Sequence, residues 1–186
     1  LAQSSGRTME AFDLLRHAHA LDPTDPAIAF MLGGNYAQQG VSDRALSLLE
    51  EAYGADSTNL TYARALSAGY IEAGRMQDAL HINERLSAAD PEDDDVRYRL
   101  IQLYARTGEL KKGIQLATEL QKRFQPMPEA YGQLTKMKIQ LLALSKDSVA
   151  VGREYRAWAA LYPEDRRPYY DWILHLFQTG GAKEAE

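Results

Sequence analysis

The sequence predicts an all-α fold, a solenoid of stacked antiparallel helix pairs, from a long repeat and from the helical pattern inside it. Glycines recur 34 residues apart at Gly6, Gly40, Gly74 and Gly108. At the usual glycine frequency of about 7%, three further matches at a preset spacing have a probability of about 3 in 10,000. The same spacing relates four leucines and three tyrosines: Leu32, Leu66, Leu100, Leu134, Tyr36, Tyr70 and Tyr104. A period of this length is typical of stacked-repeat proteins.

Each repeat contains two amphipathic segments. In the second repeat, Leu66 and Tyr70 lie four residues apart within 62–73. The following segment, 76–88, places its apolar residues at spacings of three and four. Both patterns predict a helix with one apolar face. Gly74 falls between the two segments, where the end of a helix needs a left-handed residue that glycine supplies at no steric cost.

Polar residues predict where the second helix of each pair begins and ends. Ser42, Asp43 and Asp78 stand near the predicted starts, where side-chain oxygens or negative charge suit the free amide groups. Asp-Pro pairs at 22–23 and 90–91 predict that the preceding helices end there, because proline cannot continue a helix.

The repeat spacing divides a single domain, 1–186, into about four complete repeats flanked by half repeats. The complete repeats are predicted at 26–59, 60–93, 94–127 and 128–165, and the partial repeats at 1–25 and 166–186. Because the chain starts and stops within a repeat, we expect it to be a fragment of a longer protein. The first partial repeat is interpreted as the end of one helix followed by a second helix over 8–20.

The fourth repeat carries a four-residue insertion. Gly180 follows Gly108 by 72 residues, whereas two periods would give 68. Leu142 occupies the position where the other repeats have glycine. The first helix of this repeat is therefore predicted to extend through 140–144, with its turn at 145–147.

Composition narrows the classes of function. The net charge of −5 argues against a general nucleic-acid-binding protein, which needs a basic surface. No apolar run approaches the roughly 18 residues of a membrane-spanning helix, so we expect no direct membrane insertion in this segment. The chain has no cysteine, which excludes disulfides, thiolate metal sites and cysteine nucleophiles. Both the cytoplasm and the periplasm remain open as compartments.

No set of residues predicts an enzyme or a metal site. His17 and His19 are two residues apart and would lie on different helix faces. Asp13 and His17 could share a face, but two ligands without a third make a surface pair the better interpretation. The acidic run 92–95 lacks the alternating ligands and glycine of a calcium loop. We therefore expect no catalytic residue, no metal and no cofactor.

These positions resemble the tetratricopeptide repeat, or TPR. The first complete repeat carries the pattern at Leu32, Gly33, Tyr36, Gly40, Ala45, Leu49 and Ala52. The resemblance covers essentially the whole chain, with departures at Ser57 for proline, Asn83 for a large residue and Lys138 for tyrosine. It implies a right-handed α-α superhelix and a role as a non-catalytic scaffold or adaptor.

The resemblance also implies a concave peptide-binding groove, lined by the first helix of each repeat. Its candidate binding residues are Phe30, Met31, Arg64, Tyr98, Arg99, Gln102, Arg106 and Lys136. The positive charges favour a protein or peptide partner with an acidic segment, because arginine binds carboxylates through paired hydrogen bonds. The competing interpretation is a solvated face whose charges pair with their neighbours and contribute little.

Two alternative functions remain open. The chain could be a TPR module of a larger bacterial secreted or envelope-associated assembly. It could also be a self-association module that forms a homo-oligomer through its terminal half repeats. The last half repeat is rich in large apolar residues, namely Tyr169, Tyr170, Trp172, Ile173, Leu176 and Phe177.

Overall fold

The computed structural model describes residues 2–179, and these residues form ten α-helices and no strand. In chain order the helices are α1 Ala2–Leu21, α2 Pro26–Gln38, α3 Ser42–Ala55, α4 Leu60–Glu72, α5 Met76–Ala89, α6 Asp94–Thr107, α7 Leu110–Arg123, α8 Pro128–Leu144, α9 Ser148–Leu161 and α10 Arg167–Thr179. The chain separates into an N-terminal unit, Leu1–Arg97, and a C-terminal unit, Tyr98–Glu186. The all-α class of repeated helix pairs is confirmed, whereas the single-domain assignment stays a prediction.

The turn inside each helix pair uses a left-handed residue. Gly40, Gly74 and Gly108 have φ angles of 75°, 74° and 83°. In the fourth repeat the longer α8 moves this position to Lys146, which adopts a φ of 61° without being glycine. The predicted extension of α8 and its turn at 145–147 are thereby confirmed. The predicted Gly180 lies outside the described residues.

In the first three complete repeats an acidic or amide side chain caps the first helix, whereas α8 follows Met127, which makes no side-chain cap. Asp25 accepts hydrogen bonds from the backbone N–H groups of Ala27 and Ile28, and Asn59 occupies the same position in the next repeat. Asp93 accepts from the backbone N–H of Val96 at 3.1 Å. These side chains satisfy amide groups that the first turn of a helix leaves without a partner.

The acidic residues expected at the starts of α3 and α5 are found there, whereas the two segments predicted before the first complete repeat are wrong. Ser42 does not cap α3, because the cap position is Val41 and no side chain bonds there. Asp43 and Asp78 lie in the first turns of α3 and α5, where their charges suit the helix dipole. α1 is one continuous helix through Gly6, not two segments. A single glycine inside a helix costs only about 1 kcal/mol relative to alanine, so it does not by itself force a turn.

Apolar faces of successive helices form the core of the N-terminal unit. One cluster joins α2 and α3, with Phe12 and Leu15 of α1 packed against it. A second cluster contains Leu66 of α4 and Leu86 of α5. The buried Asn83 donates a hydrogen bond to the hydroxyl of Ser67 at 2.5 Å. A polar pair therefore fills a core position where the family pattern has a large residue.

The C-terminal unit has two further apolar clusters and a buried ion pair. Ile101 of α6 belongs to the first cluster, together with buried residues of α7 and α8. Trp158 of α9 is fully buried in the second. Lys138 lies between them, with its Nζ 2.8 Å from the Glu154 carboxylate and 3.1 Å from Gln121 Oε1. In the described part of the chain, no helix is both long and apolar enough to span a bilayer.

Candidate functional site

Three polar side chains form a line along the exposed side of α6. Arg99, Gln102 and Arg106 are spaced by three and four residues, so they lie on one helix face. Gln102 and Arg106 are exposed and Arg99 is half-buried. The two arginines are seven residues apart, which corresponds to about 10 Å along the helix axis. We refer to these three residues as the α6 basic strip.

The arginines of the strip carry charge that the surrounding protein does not neutralise directly. Among residues 2–179, neither Arg99 nor Arg106 forms a hydrogen bond or an ion pair. Asp95 lies one helical turn before Arg99 and is exposed, but it is not within ion-pair distance. Two guanidinium groups are thus available to a ligand on the same face of one helix.

The other two cationic candidates already have partners. Arg64 donates a hydrogen bond to Asp93, the carboxylate that caps α6. The N–H of Val96 and then the Arg64 guanidinium lower the pKa of Asp93 below its usual range. Lys136 Nζ lies 2.8 Å from the Asp171 carboxylate. For Arg64 and Lys136, therefore, the structure fits the competing interpretation of a solvated face with paired charges.

The apolar candidates differ in how much surface they offer. Phe30 packs against Tyr62 with ring centroids 5.0 Å apart, and Tyr98 packs against Phe124 at 6.3 Å. Both are half-buried, so only part of each ring is exposed to a ligand. Met31 is 46% exposed. Tyr98 lies four residues before Gln102 on α6, so it would border a ligand bound to the strip.

The apolar surface predicted at α10 is only partly available. Trp172 stacks on Tyr155, with ring planes 9° apart, and Leu176 is buried. The remaining side chains of the set are at least 48% exposed: Tyr169, Tyr170, Ile173 and Phe177. The exposed patch is therefore smaller than the sequence predicted.

No group of three or more potential metal ligands occurs among residues 2–179. The titratable side chains with shifted pKa values in this part of the chain belong to ion pairs, to buried or half-buried tyrosines, and to Asp22, whose pKa is lowered by hydrogen bonds from Thr24. Burial, for example, raises the pKa of Tyr155 to about 12, with the Asp171 charge adding to the effect. These shifts follow from packing inside the helix pairs.

Comparison with known proteins identifies the class of repeat. A family model for the tetratricopeptide repeat matches residues 70–136. The crystal structure of YrrB, described as a TPR protein with an unusual peptide-binding site, is similar with a TM-score of 0.71 and 14% identity, over 92% of this chain and 86% of that one. A crystal structure of MamA has a TM-score of 0.67 and 16% identity, over 89% and 88% of the two chains. A second MamA structure, designated AMB-1 C2221, has a TM-score of 0.67 and 21% identity, over 85% and 91%.

No curated protein sequence matches the chain. At these identities the solved structures show the fold alone. Together with the family model over residues 70–136, they confirm the resemblance to tetratricopeptide-repeat proteins drawn from the sequence. Arrays of this class generally present extended surfaces for binding other proteins.

Proposed function

We propose that this chain is a non-catalytic protein-interaction scaffold that binds an acidic peptide segment at the α6 basic strip. The proposal rests on a difference between the cationic residues of the predicted groove, namely whether each has a carboxylate partner. Arg64 and Lys136 are paired with carboxylates, whereas Arg99 and Arg106 have no such partner among the described residues. A partner with acidic residues would supply the missing negative charge.

The geometry of the strip sets the spacing of the acidic residues. An extended peptide rises about 3.3 Å per residue, so carboxylates three residues apart would reach both arginines. In a helical peptide the same distance of about 10 Å corresponds to seven residues. Each arginine can bind a carboxylate through two parallel N–H···O bonds. Gln102, between the arginines, can donate to and accept from a peptide backbone.

Binding at this surface should be weak and sensitive to salt. Exposed ion pairs contribute about 0.2–1 kcal/mol each, and salt screens them further. Additional affinity would come from apolar contacts with the exposed part of the Tyr98 ring. We also propose that Phe30, Met31, Arg64 and Lys136 contact bound protein segments, although their present partners leave less of the two cations available.

Fluorescence anisotropy with a labelled peptide tests the proposal. The probe is an extended peptide with glutamates at positions i and i+3, and its comparison peptide has the same composition with the glutamates adjacent. The double substitution Arg99→Glu and Arg106→Glu should abolish binding of the first peptide. The matched control is Lys111→Glu with Lys122→Glu, which changes the net charge equally through exposed residues of α7.

Equal binding by the strip variant and the original protein would refute the proposal. An equal loss of binding in the α7 control would also refute it, because it would show that net charge and not the strip attracts the peptide. Circular dichroism of both variants checks that helix content is unchanged.

A second candidate function is self-association through α10. The exposed side chains of Tyr170, Ile173 and Phe177 form an apolar surface of the kind that marks interaction sites. Light scattering at several concentrations should show a mass that rises with concentration, and Phe177→Glu should lower it. A constant monomer mass would rule out this candidate. Membership in a bacterial secreted or envelope-associated assembly stays a prediction of the sequence.

A further inference from the structure

A pocket in the first complete repeat combines arginines with an apolar wall. It has a volume of about 250 Å³ and lies between α1, α2 and α3. Its lining residues are Arg16, His19, Leu32, Tyr36, Arg44, Ser47 and Leu48. We call it the first-repeat pocket. It contains none of the residues of the predicted groove, so it is independent of the α6 basic strip.

Arg44 is held over the pocket by an aromatic ring. Its Nη1 donates to the hydroxyl of Tyr36 at 3.2 Å, and its guanidinium carbon lies 5.7 Å from the ring centroid. The ring of Tyr36 is in turn fixed by an edge-on contact with Phe12 at 5.1 Å. These contacts orient the guanidinium and leave most of its N–H donors unused, because arginine has five.

Arg16 supplies a second cation from the opposite helix. Its nearest carboxylate partner is Asp13, at 3.9 Å, and both side chains are more than half exposed. A pair of this kind is worth little and yields readily to a better placed anion. The same pocket has an apolar lining, because the buried Leu32 and Leu48 also line it.

His19 is a further polar residue that lines the pocket, and it lies close to Glu51. The Nε2 of His19 lies 3.8 Å from the Glu51 carboxylate, the one negative group near the histidine among the described residues. The Nδ1 of His19 is buried without a hydrogen-bond partner in the described part of the chain. One polar atom of a lining residue is thus without a partner among the described residues.

The next repeat has an equivalent pocket with the opposite charge. Its lining residues Tyr70, Asp78, His81 and Ile82 follow Tyr36, Arg44, Ser47 and Leu48 by 34 residues each. Asp78 therefore replaces the pocket arginine, and Glu84 adds a second carboxylate. Equivalent positions of the two repeats line both cavities, and the side chains at these positions determine the charge of each cavity.

We infer that the first-repeat pocket binds a carboxylate carried on an apolar group. The carboxylate would bind Arg44 and Arg16, and the apolar group would lie against Leu32, Leu48 and the Tyr36 ring. Such a ligand is either a free aliphatic carboxylic acid or the C-terminal residue of a peptide, since both present the same chemistry. The pocket of the next repeat is not expected to bind it, because Asp78, which is paired with Arg75, stands where the first repeat has Arg44.

Amide chemical-shift mapping on the ¹⁵N-labelled protein tests this site. The probes are N-acetyl-leucine, its uncharged analogue N-acetyl-leucinamide, and 4-methylpentanoate, each titrated to about 20 mM because ligands of this size bind weakly. We expect N-acetyl-leucine to shift the amides of residues around Arg16, Tyr36 and Arg44, and the amide analogue to shift none of them. Tighter binding of N-acetyl-leucine than of 4-methylpentanoate identifies a peptide C-terminus as the source, and the reverse order identifies a free acid.

Substitution of Arg44 provides a second test of the same site. Arg44→Gln should weaken N-acetyl-leucine binding at least about five-fold, because a charged bidentate donor is lost. The matched control is Arg85→Gln, since Arg85 also donates to a tyrosine hydroxyl, that of Tyr53, and lies 5.4 Å from its ring centroid. This control should leave the affinity unchanged. Arg16→Gln, at an exposed position of α1, is an independent variant should Arg44→Gln lose helix content.

Three results would overturn the inference. The first is the absence of pocket shifts with any of the carboxylate probes. The second is an equal response to N-acetyl-leucine and to its amide, which would mean that the pocket binds apolar groups without regard to charge. The third is unchanged affinity in the pocket variants. None of these results would bear on acidic peptide binding by the α6 basic strip.

Discussion

Gly132 of α8 lies where one added carbon meets a rigid, buried ring. A Cβ built at this position would be 2.7 Å from Cζ2 and 3.3 Å from Cε2 of Trp158, whose exposure is 0%. Real Cβ atoms do not approach other atoms this closely, so either α8 or the indole must move. Gly132→Ala is therefore expected to destabilise the C-terminal unit, even though alanine favours a helix.

Two contributions to the free energy of unfolding oppose each other in Gly132→Ala, namely helix propensity and overpacking of the core. Alanine in a helix interior is more favourable than glycine by about 1 kcal/mol. Overpacking a close-packed core costs about 1–3 kcal/mol, and the position of Trp158 leaves no flexible chain end to yield. The expected net loss is up to about 2 kcal/mol. For a protein of this size that corresponds to a fall in Tm of up to about 8 °C.

Gly152 of α9 provides a matched control in the same unit. A Cβ there would be 3.6 Å from the Trp172 ring, an ordinary contact distance. Gly152→Ala is expected to be neutral or stabilising by up to about 1 kcal/mol. Urea unfolding followed by tryptophan fluorescence reports on this unit, because both tryptophans lie within it. A Gly132→Ala protein as stable as the Gly152→Ala protein would refute the packing argument.

Three further predictions concern buried or half-buried polar groups. Lys138→Ala leaves the half-buried Glu154 without its cation and should cost up to about 3 kcal/mol in urea unfolding, whereas adding Glu154→Gln should restore most of that loss. Asn83→Ala leaves the Ser67 hydroxyl without its donor and should cost about 1–3 kcal/mol by circular dichroism; an unchanged midpoint would contradict the role of this pair. Burial and a neighbouring carboxylate raise the pKa of Tyr70 to about 12, so the folded state keeps this proton longer than the unfolded state. Stability should therefore fall as pH rises from about 10 to about 12, and Tyr70→Phe should flatten that slope.

The helix frame follows from local chemistry and was predictable from the sequence. Gly40, Gly74 and Gly108 mark turns because the left-handed conformation depends on the residue itself. The capping residues Asp25 and Asn59 were missed, although they too are 34 residues apart. The prediction for α1 failed because Gly6 matches the repeat position of the turn glycines, yet a helix can continue through a single glycine.

The candidate site was predictable only in part. Repeat positions place Arg99 and Arg106 on one exposed face, as the structure also does. The pairing of Arg64 with Asp93 joins residues 29 positions apart, and side-chain reach across two helices cannot be inferred from helical spacing. The first-repeat pocket was missed for the same reason, because residues of three helices build it.

Amide shift mapping with the glutamate peptide shows whether an acidic peptide binds along α6. The shifts should be concentrated at Arg99, Gln102 and Arg106 and should shrink as salt is raised. Shifts centred on the exposed lysines of α7, or shifts that persist after both strip arginines are reversed to glutamate, would contradict binding along α6.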